Sequence, residues 1–77
     1  MNLWLKNLTD AIHGELYKAN QADDQPIRLF HQAVAARMLL IVYRELDDNN
    51  ISGDERALIV EWGQETKRAC LNVWPSD

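Results

Sequence analysis

Residues 26–47 read PIRLFHQAVAARMLLIVYRELD, and the fold turns on how this stretch is taken. Inside it, Ala33–Tyr43 (AVAARMLLIVY) is an eleven-residue apolar run interrupted only by Arg37. A bilayer-spanning helix needs about 20 such residues, so the run reads as a buried helix. Its apolar residues fall in three directions. Ile27, Phe30, Val34, Met38 and Ile41 make one helical stripe, and Leu29, Ala33, Ala36, Leu40 and Tyr43 make another. Leu39, Val42 and Leu46 add a third. A helix that is apolar nearly all round sits at the centre of its fold or in an oligomer interface. Asp23 or Asp24 can cap it, and Pro26 suits its first turn, so the helix is predicted over about 25–47.

Two polar breaks bound this segment: Asn20–Pro26 (NQADDQP) and Asp47–Gly53 (DDNNISG). Both are short enough to be turns between packed helices. Before the first break, Leu5, Leu8, Ile12, Leu16 and Ala19 recur at helical spacing and predict a helix over about 3–19. Gly14 is its weak point, since glycine costs about 1 kcal/mol of helix propensity against alanine. After the second break, Ser52-Gly53-Asp54-Glu55 matches a capping box, in which serine accepts from a free amide and glutamate reaches back. A third helix is predicted from 53 to about 73, with Leu58, Ile59, Trp62, Thr66, Ala69 and Val73 on its core face and Pro75 ending it. No segment alternates apolar and polar residues over more than a few positions. The expected fold is therefore all-α: a single domain over 1–77, a small antiparallel three-helix bundle that dimerisation would complete.

Composition narrows the function classes. Twelve acids against eight bases leave a formal charge of −4, and 47% of residues are hydrophobic, which suits a folded chain rather than a disordered one. One cysteine, Cys70, excludes an internal disulfide and points to a reducing compartment. Met1–Asp10 lacks the apolar core of a secretory signal, so the chain is expected to be cytoplasmic and off the membrane. Arg28, Arg37, Arg44 and Arg56 are scattered and make no basic stripe, which disfavours nucleic acid as a partner.

The residues that could carry chemistry have plainer roles. Asp48, Asn50, Ser52 and Gly53 fit the first half of a calcium loop, but Ile59 stands where the bidentate glutamate belongs, so the loop reads as a helix cap. His13, His31 and Cys70 come from three segments with no ligand spacing, and no metal or cofactor is expected. Cys70 falls near a helix C-terminus, where the dipole disfavours a thiolate. Asp23/Asp24 and Asp47/Asp48 are paired carboxylates in polar turns, where they stay solvated. No catalytic residue is predicted, and the chain is not expected to be an enzyme.

The informative residues are apolar ones with no core to enter. Val60, Gln64, Lys67, Leu71 and Trp74 follow helical spacing on the side of the third helix opposite its core stripe. Such mixtures of aliphatic, aromatic and basic side chains suit a protein interface. Arg37, amid the apolar residues of the second helix, is expected to bury its stem and pair with Glu15, Glu61 or Glu65, or else to reach a partner across an interface. The sequence thus predicts a non-enzymatic protein-binding module, an adaptor, regulator or inhibitor of a larger protein, with self-association into a homodimer also expected. Its size and acidity are compatible with small proteins of phages or mobile elements that block host machinery. The alternative is a helical homo-oligomer that binds a small ligand or nucleotide through Arg37, Arg28 or His31 at a subunit interface.

Overall fold

The computed structural model describes residues 3–48 and 51–75, with side chains placed over 3–46 and 51–75. It is an all-α bundle of three helices: α1 (Leu3–Gln21), α2 (Gln25–Asp48) and α3 (Gly53–Ala69), followed by a short 3-10 turn, Leu71–Val73. The first two form an antiparallel hairpin that makes the main packing surface, and α3 with its 3-10 extension lies back along α2. The longest dimension is 40 Å, set by α2, whose 24 residues rise about 36 Å.

Each helix starts and stops for local reasons. At the head of α2 the Arg28 amide donates to the Asp24 carbonyl (3.0 Å), while the Arg28 guanidinium donates to the Ala22 carbonyl (2.9 Å) beyond the end of α1. Ser52 caps α3 as expected, its hydroxyl oxygen accepting from the Glu55 amide at 3.3 Å. Asp54 and Glu55 in the first turn and Lys67 and Arg68 in the last complement the helix dipole. The α-helix stops at Ala69, four residues short of the predicted end. The Cys70 amide turns back to the Lys67 carbonyl, a tighter i→i−3 bond that starts the 3-10 turn. Pro75 then holds Trp74 extended (φ −66°, ψ 127°), because the ring disfavours the α conformation in the residue before it.

The core is Leu5, Ile12, Ala35, Ala36, Leu39, Val42, Leu46, Ile59 and Cys70, with Leu8, Leu16, Met38, Tyr43, Trp62, Val73 and Trp74 packed at its edge. On α1 this is the predicted stripe. On α2 the core takes the third of the three predicted directions, Leu39, Val42 and Leu46, joined by Ala35, while Ile27 (49% exposed), Phe30 (62%) and Ile41 (42%) face outward. Two neighbours cover only part of a helix's circumference, and both lie on the Leu39 side. On α3, Leu58 (67% exposed) and Ala69 leave the predicted core face, and Gly63 and Cys70 take their places. Leu39 and Ile12 are fully buried, and truncating such a residue to alanine costs about 2–5 kcal/mol. No helix among the described residues is long and apolar enough to cross a membrane.

Candidate functional site

Two apolar faces stay outside the bundle. The first is on α3, where Val60, Gln64 and Lys67 share one side and Leu71 extends it into the 3-10 turn, 61% exposed. Trp74, placed on this face by helical spacing, leaves it. The chain abandons the α-helical path at Cys70, so the indole swings back to pack half-buried at the core edge, with Lys67 Nζ 4.9 Å from its ring centroid. Lys67 thus joins the indole to the exposed face through a cation–π contact.

The second face is on α2, where Ile27, Phe30 and Ile41 are exposed with Val34 half-buried among them and Arg37 and Arg44 along one border, while Met38, the remaining residue of that stripe, packs at the core edge. Helical spacing finds this stripe, but apolar character alone does not say which of the three stripes of α2 faces inward. The signal that apolar surface stays outside is the all-round apolar circumference of α2, which exceeds what two neighbouring helices can cover. Arg37 is exposed rather than buried by its stem, and no ion pair joins it to Glu15, Glu61 or Glu65 among the described residues. It projects from the outer side of α2, whereas Val60, Lys67 and Leu71 belong to α3, so the predicted site residues do not form one patch.

One of the three carboxylates offered for Arg37 is used elsewhere. Glu15 Oε2 lies 2.5 Å from His31 Nδ1 across the α1–α2 seam, and Glu15 Oε1 lies 3.7 Å from Lys18 Nζ. His13 Nε2 accepts from the Trp62 indole N–H at 2.7 Å, which ties α1 to α3. Arg56 donates to the Leu46 carbonyl and so holds the start of α3 against the end of α2. Cys70 is fully buried, and burial pushes its thiol pKa up, away from the reactive thiolate.

Sequence reasoning did not anticipate the open apolar cleft of about 240 Å³ between α1 and α3, lined by Thr9, His13, Leu58, Ile59 and Trp62. It is smaller than the usual ligand pocket, roughly 300–1,000 Å³. Among the described residues, no group of three or more His, Cys, Asp or Glu side chains converges to hold a metal, and no buried side-chain N or O atom lacks a hydrogen-bond partner. The calcium-like turn lies partly outside the described residues. Compared with protein-family models, curated proteins and solved structures, the chain matches none.

Proposed function

We propose that this chain is a non-enzymatic protein-binding module that docks on a larger partner as an adaptor, regulator or inhibitor, working in the cytoplasm. The observation that carries the reading is the α3 face, where Val60, Gln64, Lys67 and Leu71 stand exposed beside an indole held by Lys67. Exposed aliphatic surface beside an aromatic ring suits the apolar centre of an interface, and Lys67 suits its polar rim, since charged residues are depleted from buried interface centres. A second support is that the groups suited to chemistry serve the fold: His31 holds Glu15, His13 holds Trp62, and Cys70 fills the core. The ligand-binding alternative draws less support, because Arg28 is spent on the Ala22 carbonyl and His31 on Glu15, leaving Arg37 without its companions.

A photoreactive phenylalanine analogue in place of Leu71, in cells that express the chain natively, tests the reading. The expected result is one discrete adduct, heavier than two copies of the chain, that disappears on Val60→Asp or Lys67→Glu. Adducts indifferent to both substitutions, or adducts of the chain with itself alone, overturn it.

A further inference from the structure

α1 and α3 each pack on α2 rather than closely on one another, and the His13–Trp62 hydrogen bond spans the cleft left between them. Chemistry fixes its polarity. An indole N–H only donates, so His13 Nε2 accepts and carries no proton. An imidazolium has no lone pair to offer there, and the bond exists only while His13 is neutral. The rings meet tilted at 59°, and the bond places Nε2 at the indole's edge, the positive end of the ring quadrupole, where a cation is repelled. The other imidazole works in the opposite sense. An ionised carboxylate only accepts, so His31 Nδ1 is the donor to Glu15, and charge on that ring turns the bond into an ion pair across the α1–α2 seam.

We propose that His13–Trp62 is an acid-released latch: a proton on His13 breaks the bond and lets α3 swing from α1, widening the cleft, while Glu15–His31 keeps the α1–α2 hairpin closed. The latch holds above the range in which histidines change charge, about pH 5–8, and is lost as pH falls through it. No other group at the cleft competes for the role. On α1, Asp10 lies one turn before His13 and Tyr17 one turn after, and Asp10 pairs with Lys6 at 3.1 Å. α3 opposes His13 with Leu58, Ile59 and Trp62, flanked one turn away by Glu55 and Glu65. α2 lends the cleft wall no residue; its Tyr43 phenol lies over Gly63, next to Trp62, and burial pushes that group still further above the histidine range. Carboxylic acids as a class titrate near about 4, below it. The other ties of α3, Arg56 to the Leu46 carbonyl and Gly63 beneath Tyr43, do not change charge there, so α3 pivots on α2 and stays attached. Ile59, only 3% exposed, lines the cleft and is what the movement uncovers.

The latch uses the inner side of α3, apart from the docking role proposed for its outer face, and its test needs no partner. In a 15N-labelled chain the Trp62 indole N–H signal, assigned by its loss in Trp62→Phe, should shift as pH falls from about 8 to about 5. Over the same range amide hydrogen exchange in α3, corrected for its intrinsic pH dependence, should quicken about three- to tenfold, the equivalent of one lost hydrogen bond, while α1 and the facing half of α2 keep their protection. His13→Gln retains an acceptor that cannot titrate and should abolish both responses. Trp62→Phe retains a ring without the donor and should make α3 exchange level with pH. An indole signal that ignores pH overturns the latch, as does α3 exchange that does not quicken or a response that survives in either variant. Equal loosening of α1 and α2 overturns the selective release of α3.

Discussion

Gly63 of α3 lies directly beneath the phenol of Tyr43 on α2: a Cβ at position 63 would stand 2.7 Å from the Tyr43 hydroxyl oxygen and 3.0 Å from Cε1. The glycine is therefore a packing residue that lets α3 approach α2. Gly63→Ala should destabilise the fold despite its gain in helix propensity, by about 1–3 kcal/mol, the usual cost of forcing atoms into a packed site. In a Tyr43→Ala background the same change should become neutral or stabilising. Urea melts of the four proteins check this, and equal effects of Gly63→Ala in both backgrounds would remove Tyr43 as the cause.

Gly14, mid-way along α1, is the opposite case. A Cβ there meets no atom within 4 Å, and the residue is exposed. Gly14→Ala should stabilise the protein by about 1 kcal/mol, the helix-propensity difference alone. Thermal and urea midpoints should both rise; an unchanged midpoint would mean that α1 frays at this point before the core opens.

The Glu15–His31 contact crosses the α1–α2 seam at 2.5 Å with both side chains largely covered, 16% and 20% exposed. Glu15→Gln and His31→Gln should each cost about 1.5–3 kcal/mol at neutral pH, the range of a hydrogen bond to a charged group. A double-mutant cycle should return a coupling of about 1 kcal/mol. Additive losses would assign the contact no energy of its own.

Burial raises the pKa of both the Cys70 thiol and the Tyr43 phenol. In the unfolded chain each group loses its proton first, so the unfolded state binds fewer protons and stability falls as pH rises. The fall should begin near about pH 8.5, where a free thiol ionises, and continue past about 10 with the phenol. Below that window both groups are protonated in both states and contribute no slope. Urea midpoints across the alkaline range check the sign, and Cys70→Ala should delay the onset toward the tyrosine range. A midpoint that stays level through the thiol range would place Cys70 in contact with water.

Much of the fold was legible in the sequence because its local signals are self-contained. The Ser52 cap, the polar turn before Pro26 and the three-four rhythm of Leu5, Leu8, Ile12, Leu16 and Ala19 each act within a few residues of chain. They therefore report helix existence and boundaries without reference to the rest of the molecule. The end of α3 was misjudged for a related reason: Pro75 restricts Trp74, but the tightening at Cys70 comes four residues earlier, in a segment where propensity permits either helix.

What the sequence determined by itself, then, is three helices and the core face of α1, since that helix has a single apolar stripe and therefore a single way to bury it. Only the tertiary structure decided which side of α2 faces inward, because Leu39–Val42–Leu46 and Phe30–Val34–Ile41 are equally apolar and hydropathy carries no direction. The close approach at Gly63 belongs to the same class, as do the retreat of Trp74 from the α3 face and the pairing of Glu15, one of three candidates for Arg37, with His31. Each is settled by which atoms a second helix brings within a few ångströms, and that distance is a property of packing rather than of any one segment of chain.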